Sequence, residues 1–349
     1  MRAVAQWILA QDWEENLRPI TTAPLLTCTA GLLFLIVLYY TWIFVTGDAD
    51  LTVLRANSNS SQFKMLASFH KKTVWITGAS SGLGRALALN LCQYNPKLVI
   101  SARGKDELDQ LKKECLALNS YLTSDDILVL AMDCLEFEKF PALVQKIIER
   151  FSQIDYLVNN AGRSQRSLAE DTPIAVDRAL IELNVLGYIA LTKAVLPDMI
   201  KRKEGCIVAV SSLAGKLGAP ISSGYSASKF ALQGFYNALR AEVYQYNIDV
   251  CTVCPGPVQS NISKNAFTAD MKKKYSQDAN LGNKQDVNRF AQLMAVSISS
   301  RIPEVWISIQ PFLFYTYLYQ YFPTLVTSRL FLGKMKKRID LFKDNKSIY

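Results

Sequence analysis

Residues 73–87 read TVWITGASSGLGRAL: a β-branched, apolar run that gives way to three glycines and then to helix-forming residues. The run over 73–77 has the side chains that fit a pleated, buried strand. Gly78, Gly82 and Gly84 follow with G-x-x-x-G-x-G spacing. Without a Cβ the backbone can turn tightly and approach a ligand, and a helix starting near Gly82 leaves its first N–H groups without intrahelical partners. Those donors and the positive end of the helix dipole suit a pyrophosphate, with Ser80, Ser81 and Leu83 in the same loop. The spacing differs from G-x-G-x-x-G, so a tight turn without a ligand is the competing reading of this stretch alone.

About twenty residues further on, a second strand ends in VISARGKDEL. A dinucleotide site places an acid there when it selects the ribose 2′-hydroxyl of NAD. No carboxylate occupies 101–104, and Arg103 stands at the strand end. A carboxylate would repel a 2′-phosphate, whereas a guanidinium can hold it with two parallel hydrogen bonds. NADP(H) is therefore expected over NAD(H); the bland alternative is a solvated loop arginine.

Six more apolar runs follow: KLVISA, ILVLAM, IDYLVNN, GCIVAVSS, DVCTVCPG and EVWIS. Each is continuously apolar, as a strand buried on both faces must be, and most are separated by segments long enough for a crossover helix. That rhythm predicts a single α/β, Rossmann-like, doubly wound parallel sheet of about seven strands over residues 72–310.

The 349 residues are 50% hydrophobic and 20% charged, enough for a sizeable core. The net charge of +9 is concentrated in two places. Residues 334–346 hold six Lys or Arg against two Asp, and Lys272, Lys273 and Lys274 form the second cluster. No phosphate-binding face for nucleic acid is implied. Seven cysteines spread through apolar runs do not form a disulfide framework. Cys251 and Cys254 lie three apart on a strand and so point to opposite faces, which argues against a shared metal. With His70 as the single histidine, read as a loop residue, neither a zinc site nor a Ser-His-Asp triad is expected, and no metal is assigned.

Residues 25–45, LLTCTAGLLFLIVLYYTWIFV, carry no charge and span roughly the 30 Å of a bilayer core. A retained single-pass anchor is expected, after an N-terminal lead at 1–24 and before a Ser- and Asn-rich linker at 46–71. Basic residues flank the anchor about equally, so its orientation stays open. Sequons at Asn59, Asn261 and Asn345 would report a lumenal domain if glycosylated. Beyond the last strand, 311–349 is aromatic and then basic. A buried flap or interfacial segment is expected there rather than a second span, because Pro311 and Pro323 interrupt it. Its basic end could meet anionic headgroups or simply be solvated.

GYSASK, residues 224–229, sets Tyr225 and Lys229 four apart with only small residues between them. On a helix these positions share a face, and an ammonium beside a phenol lowers the phenol's pKa and readies it for proton exchange. The small residues leave room for substrate and cofactor. Ser226–Lys229 also fits the S-x-x-K pattern of penicillin-recognising hydrolases, but neither S-D-N nor K-T-G occurs.

Together these residues resemble the short-chain dehydrogenase/reductase family over about residues 71–309. TGASSGLG resembles its cofactor loop, NNAG its fourth-strand motif, LNVLG the source of its asparagine, VSS of its serine, and YSASK its Y-x-x-x-K pair. The resemblance implies that Tyr225 donates a proton to a carbonyl oxygen and Ser212 hydrogen-bonds that oxygen. Lys229 would also hold the nicotinamide ribose, and Asn184 would position a relay water. It implies further cofactor contacts from Asp133, from Asn160, Ala161 and Gly162, and from Pro255, Gly256, Val258 and Ser260, beside those of the glycine loop, Tyr225 and Lys229.

The layout is similar to a membrane-anchored subgroup of the endoplasmic reticulum associated with NADPH-dependent reduction of lipophilic carbonyls such as retinal and oxo-steroids. The partners implied are a lipophilic small molecule, membrane lipid and a second copy of the chain, paired through helices at about 173–203 and 224–247. The region 263–285, where the family places a substrate lid, diverges. A membrane-bound dinucleotide scaffold or sensor without turnover is the alternative from a different class.

Overall fold

The computed structural model describes residues 13–260, 262, 265–270 and 284–328. Within 332–343 it describes 332, 333, 335, 336, 339, 340, 342 and 343, and side chains are described from residue 27 onward. The Asn261 and Asn345 sequons, the Lys272–Lys274 cluster and most of the divergent 263–285 region lie outside the described residues. The chain divides into two units, one ending at Gly47 and one running from Asp48 to the C-terminus.

The first unit is one helix, α1 (Trp13–Thr46), so the helix begins well before residue 25. Its Thr27–Thr46 segment has mean hydropathy 2.1, with side chains from Leu32 to Val45 turned outward. That length and polarity are compatible with a single-pass membrane anchor.

The second unit does not begin with a linker. Residues 51–59 and 62–69 form two short helices, α2 (Leu51–Asn59) and α3 (Gln62–Phe69). The Ser and polar residues read as linker composition are partly caps: Asp50 accepts from the Val53 amide and Ser61 from the Lys64 amide. Val53, Met65 and Phe69 are buried in the core. Asp50 also bridges to the last strand, its amide donating to Trp306 O at 2.8 Å and its carboxylate accepting from the Trp306 amide. Burial raises the Asp50 carboxyl, opposed by the backbone N–H groups it accepts from.

The central sheet is parallel and seven-stranded, in the order β3-β2-β1-β4-β5-β6-β7. Its strands are β1 (Thr73–Thr77), β2 (Lys97–Ala102), β3 (Ile127–Ala131), β4 (Tyr156–Asn159), β5 (Gly205–Val210), β6 (Ile248–Pro255) and β7 (Glu304–Ile307). They coincide with the seven runs picked out by apolarity. Alternation along each strand feeds two cores. Val74, Ile76, Leu98 and Ile100 pack with α4 (Gly82–Leu91), α5 (Lys105–Leu118) and a later helix over Val287–Ser299. Trp75, Val99, Ile207 and Ala209 pack on the other face with α6 (Phe140–Phe151) and helices over Gly187–Arg202 and Ser223–Val243. The chain reverses direction in the sheet between β1 and β4, which opens a crevice at the carboxyl ends of the strands.

Between β4 and β5 run α7 (Ile174–Ile181), a π-helical turn (Glu182–Leu186) and α8 (Gly187–Arg202). The stretch Ile174–Arg202 is long and apolar enough to cross a membrane, but Tyr188, Leu191, Val195 and Met199 bury it in the domain. α9 (Ser223–Val243) precedes β6, and α10 (Val287–Ser299) precedes β7. The C-terminal aromatic segment folds as α11 (Phe312–Tyr321) and α12 (Pro323–Val326). It is half-buried, held through Leu313, Thr316 and Val326, a ring contact of Tyr317 with Trp306 at 4.8 Å, and Gln320 donating to Lys216 O.

Candidate active site

At the end of β1 the chain turns through Gly78, whose φ of +65° lies in the left-handed region. A Cβ there would stand 2.8 Å from the Ala161 Cα, and one at Gly84 would stand 2.5 Å from the Asn160 amide nitrogen and 2.6 Å from Gly78 O. The glycine loop and the Asn160–Gly162 loop therefore interlock. Asn160 seals the joint, donating to Thr77 O at 2.9 Å, while its own amide and that of Ala161 donate to Thr77 Oγ1. A Cβ at Gly82 would meet Ser260 Cβ at 3.4 Å, which brings the loop after β6 to the same place. Ser81, at the N-cap of α4, makes no side-chain capping bond, which leaves the helix N-terminus suited to accept a phosphate. Ser80 and Leu83 flank this opening and are half-buried.

Arg103 is exposed just past β2. The strand end beneath it is fixed by the buried Ser101, which accepts from Trp75 Nε1 at 2.9 Å. Asp133 follows β3 and accepts from the Leu135 amide. After β6, Gly256 donates to Ile307 O and Val258 pairs with Gln285, which holds the Pro255–Ser260 loop against the last strand. The cofactor-side residues named from the sequence thus come from the carboxyl ends of β1 to β4 and β6, on one rim of the crevice. A dinucleotide fits this rim, because the glycine positions that a side chain would obstruct sit beside an uncapped helix N-terminus.

Ser212 follows β5 and accepts from the Ala214 amide at 3.0 Å. Tyr225 lies in the first turn of α9, with its amide donating to Gln165 Oε1. Ser212 Oγ also donates to Pro255 O at 3.4 Å, and Ser212 and Tyr225 line the same cavity. Lys229, 4% exposed, lies one turn on, its Nζ 5.7 Å from the Tyr225 ring centroid and 5.3 Å from that of Tyr188. Asn184 is fully buried in the π-helical turn, a departure from α-geometry frequent at functional positions. Its Oδ1 accepts from the Arg163 amide, and its Nδ2 donates to Arg163 O and to Ser228 Oγ. Ser228 in turn donates to Tyr225 O. All four residues are brought to one place.

The electrostatics depart from the sequence expectation. Burial raises the Tyr225 phenol, and what opposes it is first the Ser212 hydrogen bond and then the Arg166 guanidinium, not Lys229. The reason is where the ammonium goes. Nζ donates to Val210 O at 2.8 Å and lies 5.7 Å from the Tyr225 ring centroid, and burial lowers Lys229 itself to about 7. The pairing of phenol and ammonium is present in space, but in this structure serine and arginine provide the opposing effect.

Arg166 was not singled out by sequence reasoning. Its Nη1 donates to Ser164 Oγ, Gln165 O and Ser222 Oγ, which ties it to the N-terminus of α9 just ahead of Tyr225. Arg163 was missed as well: it stacks on Phe267 at 3.7 Å, and burial, then the nearby Arg103, lower its pKa. The one available signal was a pair of arginines directly after NNAG.

Tyr225 and Ser212 open onto a cavity of about 370 Å³. Leu213, Leu217, Pro220, Val258, Ile262, Phe312, Tyr315, Val326 and Met335 are the larger apolar residues of its wall. Such a volume with few polar groups is the usual form of a small-molecule site.

The family model described as short chain dehydrogenase matches residues 72–271. The chain is 44% identical over 304 residues to the human dehydrogenase/reductase SDR family member 7, covering 86% of this chain and 88% of that protein. The subgroup that the sequence resembles is this member 7 type. Among solved structures, a metagenomic short-chain oxidoreductase in complex with NADP superposes with TM-score 0.55 at 27% identity, covering 70% of this chain and 99% of that one. A Burkholderia phymatum short-chain dehydrogenase/reductase in complex with NAD superposes with TM-score 0.65 at 22% identity, covering 75% and 97%.

Proposed function

The chain belongs to the short-chain dehydrogenase family, whose members are NAD(P)-dependent oxidoreductases, and from that premise we propose that it is a membrane-anchored, NADPH-dependent reductase interconverting a carbonyl and an alcohol on a lipophilic substrate. The observation that carries this reading is the meeting of Tyr225 and Ser212 at the wall of an apolar cavity, with Lys229 buried beneath. Bound NADPH supplies the hydride. The Ser212 hydroxyl holds the substrate oxygen and stabilises charge as it develops there. Tyr225 gives its phenolic proton to the same oxygen, and a buried, neutral phenol is the form able to give it. Lys229 and Asn184 hold the helix and loop around the phenol in register, and Lys229 Nζ, 3.9 Å from where a Gly162 Cβ would stand, faces the cofactor rim.

Arg103 supports NADPH over NADH, since it is exposed at the end of β2 where a 2′-phosphate would lie. Asp133, Asn160–Gly162 and Pro255–Ser260 are the further cofactor contacts in this reading. The outward apolar face of Thr27–Thr46 supports single-pass insertion, in the endoplasmic reticulum by the subgroup resemblance, where retinal- or oxo-steroid-like substrates dissolve in lipid. Leu186 and Phe230, each 42% exposed within the two helical stretches expected to pair, support pairing with a second copy.

The test is NADPH consumption by the purified full-length protein against retinal, steroid and dicarbonyl panels. A reductase consumes NADPH with at least one lipophilic carbonyl. Saturable NADPH binding with no consumption across the panel would instead identify a dinucleotide-binding scaffold.

A further inference from the structure

Two arginines, Arg103 and Arg163, stand on the cofactor rim, one on each side of the glycine loop. The Gly78–Ala79 turn touches the chain at both: a Cβ on Gly78 would stand 2.8 Å from Ala161 Cα, and the Ala79 amide donates to Ser101 O at 3.1 Å. Arg163 lies just beyond Ala161 and Arg103 just beyond Ser101, so they rise from the ends of β4 and β2, the two strands that flank β1. Arg163 is held by the segment after β6. Its Nε donates to Asn265 O at 3.0 Å and its guanidinium lies over the Phe267 ring at 3.7 Å. Phe267 is tied to the chain next to Arg163, its amide donating to Ser164 O and its carbonyl accepting from the Arg166 amide. The Arg163 backbone is fixed at both its amide and its carbonyl by Asn184. A carbonyl and an aromatic face orient a guanidinium without cancelling its charge. Among the described residues, the two Nη groups of Arg163 have no hydrogen-bond partner, and neither Arg163 nor Arg103 forms an ion pair. Burial and then Arg103 weigh against the charged form of Arg163, and no acid acts in the opposite sense. Like charges held near each other are unfavourable until an anion joins them.

We propose that Arg163 is a specificity-determining residue for the cofactor, forming with Arg103 a two-guanidinium clamp on the 2′-phosphate of NADPH. The inference rests on the NADPH reading and adds a residue to it. The pyrophosphate has its own donors at the N-terminus of α4, whereas the charge that acts on Arg163 is that of Arg103, at the end of β2. A phosphate monoester carries about two negative charges at neutral pH and offers several acceptor oxygens, so it can take a guanidinium from each side. NADH presents a neutral hydroxyl there and leaves the two like charges uncompensated. Because Asn265 and Phe267 hold Arg163, the divergent segment after β6 takes part in choosing the cofactor.

The experiment measures equilibrium binding of NADPH and of NADH to the full-length protein in neutral detergent, for the wild type, Arg163→Met and Arg163→Lys. Methionine keeps an unbranched side chain against Phe267 and removes only the charge. Arg163→Met is expected to weaken NADPH by about tenfold and NADH by no more than about twofold. Arg163→Lys, which restores the charge without the planar fork, should fall between Arg163→Met and the wild type. Added salt should erode the NADPH preference less in Arg163→Met than in the wild type. An equal loss for both dinucleotides would make Arg163 a pyrophosphate contact or a support of the rim and overturns the inference, as does an unchanged NADPH-to-NADH ratio. The wild type tests the underlying reading separately. If it prefers NADPH and Arg163→Met keeps that preference in full, the NADPH reading stands and only the role of Arg163 is lost; if the wild type has no preference, both fail.

Discussion

The two halves of the crevice are built by different means. The cofactor rim is made of backbone: Gly78 and Gly84 interlock with the Asn160–Gly162 loop so closely that a single Cβ would collide. The substrate cavity is made of side chains from distant parts of the chain, among them Ser164, Leu213, Ile262, Phe312 and Met335. Such a cradle admits almost no variation, because its closest contacts fall on backbone atoms and on the Asn160 amide, which is itself held by hydrogen bonds. A side-chain wall can be recut residue by residue without disturbing the strands beneath. In the proposed reading the first half fixes the reaction class and the second fixes the substrate.

That contrast can be broken or sharpened by substitution. The largest effect is expected from Gly84→Val, which places side-chain atoms against Asn160 and Gly78. Cofactor binding should fall by about a thousandfold or be lost with the fold, read by NADPH titration alongside thermal unfolding. Next, Ser212→Ala should lower kcat by about a hundredfold to a thousandfold with NADPH affinity intact, as for removal of one oxyanion-stabilising donor. Arg103→Ala should weaken NADPH by about tenfold and leave NADH nearly unchanged, so that paired affinities distinguish a phosphate contact from a general loss. The smallest effect belongs to the wall. Phe312→Ala should raise the substrate KM a few-fold, about 1 kcal/mol of lost apolar contact, with NADPH affinity unaltered. A wall substitution that disabled the cofactor rim would show the two halves to be one unit.

The same contrast explains what the sequence disclosed. All seven strands could be read because burial on both faces leaves them continuously apolar, and the glycine loop because its stereochemistry demands glycine. Tyr225 and Lys229 were found by helical spacing and Ser212 and Asn184 through the family resemblance, and the four converge in space. Spacing could not say where the Lys229 ammonium points. It reaches Val210 O, so the effect expected of it at the phenol is absent, and Ser212 and Arg166 act there instead. The linker expected at 46–71 holds two helices, because capping residues such as Ser61 have the composition of a linker, while the buried Val53, Met65 and Phe69 are too few to show a helical period. Arg166 carries no motif, and its place beside the start of the Tyr225 helix appears only once the chain is folded.

The measurement closest to the central claim is the turnover of Tyr225→Phe, paired with its NADPH affinity. The variant keeps the ring against Lys229 and removes only the proton the reaction needs. Turnover should fall by about a thousandfold or more with NADPH binding preserved. A variant that reduces its carbonyl substrate at the wild-type rate would contradict the account.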